Sequence, residues 1–173
     1  IYAEDEQEAV AKVLASGNAN YWSGEECILF EQAFASWCDV KHGLSVFNGT
    51  VALEIALRSC GIKPGEEVIV TPRSFLASAA VVATVGAIPV FADIDLESGN
   101  LTPESIKSVI TDRTRGVVVV HLGGWPAEMP EIMALAEKHD LKIIEDCAQA
   151  HFAQWKGQNV GTFGDAGTFS CWM

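Results

Sequence analysis

Four valines in a row, Val117-Val118-Val119-Val120, leave this chain little choice of architecture. A strand with one wet face alternates apolar and polar side chains, so an unbroken β-branched run implies a strand covered on both faces. Such strands belong to parallel sheets, whose crossover connections lay helices on either side. Strand signals recur at 44–47, Glu67–Val70, Ile88–Phe91, 116–121, 142–145 and 167–171, with helical patterns between them at 50–60, 74–85, 103–110 and 130–139. Two acidic helical segments, Glu4–Ser16 and 25–37, come first, and Ile28, Leu29, Phe34 and Trp37 give the second an apolar face. The predicted fold is therefore α/β, a doubly wound, mostly parallel sheet with helices on both faces. Gly61 stands where a helix ending at 60 needs its C′ glycine, and Thr102-Pro103 reads as an N-cap followed by proline at the first helical position.

Composition narrows the function. Of 173 residues, 49% are hydrophobic and 20% charged, the balance of a chain that buries a core. A formal net charge of −12 excludes nucleic-acid binding through general electropositivity. The uncharged stretch 75–92 approaches the length of a membrane span, yet Ser78, Thr84, Gly86 and Pro89 interrupt it. A buried helix, a turn at Gly86 and a short strand are expected there, in a soluble, cytoplasmic protein. The five cysteines, Cys27, Cys38, Cys60, Cys147 and Cys171, form no C-x-x-C pair and are expected to be reduced and buried. The opening at Ile1 and the apolar close Phe169-Ser170-Cys171-Trp172-Met173 predict a piece of a longer chain.

In doubly wound folds, ligands gather beyond the carboxyl ends of the strands, which singles out four places. At Asn48-Gly49-Thr50-Val51 the backbone N–H groups of a helix start could face a phosphate, although an ordinary strand-to-helix turn explains the same residues. Phe75, after the strand ending at Val70, could stack on a flat ring or fill the core. Asp146 ends a buried strand and needs a partner, with Gln149 and His151 following as polar contacts. A capping aspartate with a surface histidine is the plain alternative, and a metal pair of Cys147 with His151 lacks a second pair, so no metal site is assigned. In the glycine-rich segment 161–170, Ser170 could reach an anion. Neither G-x-G-x-x-G nor G-x-x-x-x-G-K-[ST] occurs.

Taken in order, Asn48-Gly49-Thr50, Pro72-Arg73-Ser74-Phe75, Gly86-Ala87-Ile88-Pro89-Val90-Phe91-Ala92-Asp93-Ile94-Asp95, His121-Leu122-Gly123-Gly124-Trp125-Pro126-Ala127, Glu145-Asp146-Cys147-Ala148-Gln149-Ala150-His151 and Gly164-Asp165-Ala166-Gly167-Thr168-Phe169-Ser170 resemble the DegT/DnrJ/StrS family. These are sugar aminotransferases that use pyridoxal 5'-phosphate on the aspartate-aminotransferase fold. The resemblance implies an N-terminal helix and loop at 1–24 and, at 25–173, an incomplete large domain that stops before the Schiff-base lysine. It implies that Gly49, Thr50, Val51 and Ser170 hold the cofactor phosphate. Phe75 would stack on the pyridine ring, Asp146 would pair with the ring nitrogen and Gln149 would contact the phenolic oxygen. The implied reaction moves an amino group from an amino-acid donor to a nucleotide-linked keto sugar, for cell-surface polysaccharide or antibiotic-sugar synthesis. The implied assembly is a homodimer, with no nucleic acid or membrane partner. Without its lysine the 173-residue piece is expected to be inactive, with unpaired sheet edges that favour self-association. Val51, Arg73 and Phe152 depart from the family pattern. The alternatives are a sugar dehydratase of the same fold and a noncatalytic α/β binding module.

Overall fold

A computed structural model describes residues 2–171; Trp172 and Met173, the end of the apolar close, lie outside them. The chain divides into two compact units, Ile1–Ser45 and Val46–Met173. The first holds helices α1 (Glu4–Ser16) and α2 (Glu26–Cys38). α1 stops at Gly17, whose φ of 72° supplies the left-handed cap. The expected apolar face of α2 is only partly covered: Ala35 and Cys38 are buried, whereas Ile28 and Leu29 are exposed. In the same unit the Glu31 carboxylate accepts the backbone N–H and hydroxyl of Ser45, and these bonds lower its pKa.

The second unit carries α3 (Gly49–Ser59), β1 (Glu67–Val70), α4 (Ala77–Thr84), β2 (Ile88–Phe91), α5 (Pro103–Val109), β3 (Thr114–Val120), α6 (Met129–His139) and β4 (Lys142–Asp146). A small antiparallel hairpin of β5 (Gln154–Trp155) and β6 (Gln158–Asn159) follows, then β7 (Ala166–Thr168). The main sheet runs β2-β1-β3-β4-β7 with every pair parallel. Pro89 is tolerated because β2 is an edge strand.

The valine run lies where its composition requires. Val118 faces Val68, Val70 and Ile144 on the side covered by Leu53, Ala56 and Leu57 of α3 and Val81 and Val82 of α4. Val117 and Val119 face Ile69 and Ile143 on the side covered by Ile106 of α5 and Met129, Ile132 and Ala136 of α6. Each of the valine, leucine, isoleucine and methionine side chains so removed from water stabilises the fold by about 1.5–3 kcal/mol. At the start of α5 the Thr102 hydroxyl accepts the Ser105 N–H, so the expected cap is present with Pro103 behind it.

Two expectations fail. Segment 44–47 is not a strand: the Ser45 N–H is bonded to Glu31 instead of a ladder partner, and Leu44 and Phe47 are exposed. Cys27 and Cys171 are exposed rather than buried, because Cys27 sits on an open face of α2 and Cys171 lies beyond the end of β7. Among the described residues no helix is long and apolar enough to cross a membrane.

Candidate functional site

The carboxyl end of β4 presents two acids in succession, and the strand's alternation sends them to opposite faces. Glu145, on the α5/α6 side, is fully buried. Its Oε1 accepts the Phe163 and Gly164 N–H groups at 2.7 and 2.8 Å. Its Oε2 accepts the Gly161 N–H at 2.7 Å and lies 3.0 Å from His121 Nε2. The Ala127 N–H donates to His121 Nδ1, so the ring hydrogen sits on Nε2 and points at Glu145. Potential metal-ligand atoms of His121, Glu145 and Cys147 come within 4.8 Å of one another. Both imidazole nitrogens and both Glu145 oxygens, however, already serve this hydrogen-bond network. His151, weighed in the sequence as a partner for Cys147, packs its ring 5.5 Å from that of Phe169.

Asp146, on the α3/α4 side, is 6% exposed and has no cationic partner among the described residues. It accepts the Ser78 hydroxyl on Oδ2 at 2.8 Å and the Ala148 N–H on Oδ1 at 3.2 Å. Two carboxylate oxygens accept about four hydrogen bonds, so this buried acid keeps acceptor capacity. The carboxylate is aimed by Ser78, which the sequence marked only as a polar break in an apolar stretch. A serine at i+4 from Ser74 inside an otherwise apolar helix was the available signal.

The other expected residues gather at the same end of the sheet. Thr168 pairs with Asp146 across β4 and β7, and its carbonyl accepts the Cys147 N–H. Two residues on, Ser170 meets the first turn of α3 closely. A β-carbon built on Gly49 would stand 3.0 Å from Ser170 Cβ and 3.4 Å from its Oγ, so only glycine fits without displacement. Asn48 caps α3, its Oδ1 accepting the Val51 N–H at 2.9 Å. The Val51 donor is thereby engaged, and the Gly49 and Thr50 N–H groups remain without a bonding partner among the described residues. The sequence named the three donors but missed Asn48 as the cap.

Phe75 is 72% exposed in the loop between β1 and α4, which removes the core-phenylalanine alternative. Gln149 is exposed, and its Oε1 accepts the Gly123 N–H at 2.8 Å, which leaves its amide NH2 facing elsewhere. No lysine among the described residues joins these groups in an ion pair or hydrogen bond. Lys142 pairs with Asp165 at the opposite end of β4, and Lys156 lies 5.5 Å over the Trp155 ring. A buried acid with spare acceptors, an exposed aromatic and a helix start with open donors can hold a flat, cationic, phosphorylated ligand.

Residues 1–172 match the DegT/DnrJ/EryC1/StrS aminotransferase family. Over 161 residues the chain is 47% identical to the UDP-N-acetyl-3-dehydro-alpha-D-glucosamine 3-aminotransferase of Acidithiobacillus ferrooxidans, covering 93% of this chain and 43% of that protein. It is 40% identical over 171 residues to a Streptoalloteichus tenebrarius protein named L-glutamine:3-amino-2,3-dideoxy-scyllo-inosose aminotransferase, covering 98% and 41%. The X-ray structure of the aminotransferase from Psychrobacter cryohalolentis matches with a TM-score of 0.96 at 53% identity, over 98% of this chain and 43% of that one. The chain therefore spans less than half the length of these relatives. Motif order, fold and similarity over almost every residue agree that the chain belongs to the DegT/DnrJ/EryC1/StrS aminotransferase family.

Proposed function

We propose that this chain is the cofactor-binding part of a pyridoxal-phosphate-dependent aminotransferase that moves an amino group from an amino acid to a nucleotide-linked keto sugar. The observation that carries the reading is Asp146: a buried carboxylate that, among the described residues, has unused acceptor sites and no cation beside it, at the strand end next to α3 and Ser170. When bound, the cofactor supplies a protonated pyridine ring that draws electron density from the carbon losing its proton. Asp146 accepts the ring N–H and favours that protonated form. The Gly49 and Thr50 N–H groups donate to the phosphate with Ser170 alongside, and Val51, held by Asn48, keeps the first turn of α3 in shape. Phe75 covers one face of the ring, and the free amide of Gln149 donates to the phenolic oxygen.

A nucleotide-linked substrate is supported by the name of the Acidithiobacillus relative, and a cyclitol ketone, from the name of the Streptoalloteichus relative, is the second reading. The working assembly is proposed to be a cytoplasmic homodimer. The test uses the full-length protein that contains this chain. Incubation with pyridoxal 5'-phosphate and borohydride is expected to fix a pyridoxyl group on one lysine, with glutamate- or glutamine-dependent amination of a UDP-linked 3-keto sugar. Absence of any fixed cofactor would overturn the reading. Amination of 3-amino-2,3-dideoxy-scyllo-inosose alone would select the cyclitol.

A further inference from the structure

Ser78 is 1% exposed, on the inner face of α4. Ser78 stands in the first turn of α4, and its hydroxyl reaches across to Asp146 Oδ2 at 2.8 Å. Its only hydrogen is thereby committed, so in the 2.8 Å contact between Ser74 Oγ and Ser78 Oγ the donor must be Ser74. The bonds run in one direction, from Ser74 to Ser78 to Asp146. Ser74 immediately precedes Phe75, so the relay links the exposed aromatic's own segment to the buried acid.

We propose that Ser78 is a positioning residue for ring recognition: through the Ser74–Ser78–Asp146 relay it sets the orientation of the Asp146 carboxylate toward the pyridine nitrogen and ties that orientation to the loop carrying Phe75. The inference rests on the cofactor reading above. A carboxylate held at one oxygen by a hydroxyl and at the other by the Ala148 N–H cannot rotate freely, so its remaining lone pairs keep a fixed direction. Ser78 itself touches no ligand in this scheme; it acts through Asp146.

The test compares pyridoxamine 5'-phosphate with its 1-deaza analogue, in which carbon replaces the ring nitrogen. Affinities are measured by titration calorimetry on the full-length protein and on its Ser78→Ala, Ser78→Thr and Asp146→Asn variants. Ser78→Ala is expected to weaken pyridoxamine phosphate about 10-fold, the scale of one hydrogen bond to a charged group, and to leave the deaza analogue unchanged. Ser78→Thr, which keeps the hydroxyl, is expected to restore the preference for the nitrogen-containing ligand. Equal weakening of both ligands by Ser78→Ala would show a packing role only and overturn the proposal, as would no change with either. If Asp146→Asn also leaves the preference intact, the ring-nitrogen contact itself fails. If Asp146→Asn abolishes it and Ser78→Ala does not, only the Ser78 inference fails. Should Ser78→Ala not fold, the near-isosteric Ser78→Cys, a weaker donor, carries the same comparison.

Discussion

Glu145 and Asp146 are neighbours on one strand, both buried, yet their surroundings differ in a way that separates construction from chemistry. Glu145 collects four N–H donors from two segments of the chain and has no acceptor site to spare. Asp146 collects two among the described residues and keeps the remainder. A saturated carboxylate holds the 161–164 loop and the 121–127 segment against β4, and so steers the chain toward β7 and Ser170. An unsaturated one is costly to bury and keeps acceptor sites open to a further donor. Strand alternation alone accounts for the division, because successive side chains meet different layers of the protein.

The comparison breaks most visibly at Glu145. Glu145→Ala takes the partner from the buried His121 Nε2–H and from three half-buried backbone N–H groups, at up to about 1–3 kcal/mol each. Against a typical total of about 5–15 kcal/mol, the protein is expected to lose its cooperative melting transition in circular dichroism. Retention of a normal melt would refute the stapling role. Asp146→Asn is expected to do the reverse, leaving the melt in place while raising the Kd for pyridoxamine 5'-phosphate by about 10- to 100-fold. Gly49→Ala sharpens the phosphate side, since its new methyl group would press on Ser170. Several-fold weaker binding of pyridoxamine 5'-phosphate is expected, with unphosphorylated pyridoxamine unaffected, read by the same titration.

The smallest effect belongs to the other end of β4. There the exposed Lys142 pairs with Asp165, and the hydrogen bond that the ammonium donates to that carboxylate raises the lysine pKa. A raised folded value means that the pair's stabilisation is complete below the unfolded lysine pKa of about 10.4 and is lost as pH climbs through the folded one. Lys142→Met should therefore shift the melting temperature slightly and equally at pH 7 and pH 9, with the difference closing only in strongly alkaline buffer. A difference that changed between pH 7 and 9 would assign the pair's effect to another group.

What could be read along the chain was what local pattern determines. Glu67–Val70, Ile88–Phe91 and Glu4–Ser16 lie where their periodicities place them, and the valine run is buried on both faces. Segment 44–47 has the apolar residues of a strand, but a strand also requires a neighbour to pair with, and composition carries no record of that. The β5–β6 hairpin went unnoticed although Lys156-Gly157 is a two-residue turn with positive φ at both positions. At the candidate site, motif order named Gly49, Thr50, Val51, Phe75, Asp146, Gln149 and Ser170 as expectations. The roles of Glu145, Ser78 and Asn48 were not legible. Glu145 is defined by donors 16 to 24 positions away and Ser78 by an acid 68 positions on, so neither leaves a local signature.

The most direct trial of the Asp146 assignment is a crystal structure of the full-length protein with pyridoxamine 5'-phosphate. The ring nitrogen is expected within about 3 Å of an Asp146 carboxylate oxygen, with the phosphate on the Gly49 and Thr50 N–H groups. A ligand whose ring nitrogen faces away from Asp146, or whose phosphate lies elsewhere than the start of α3, would contradict it.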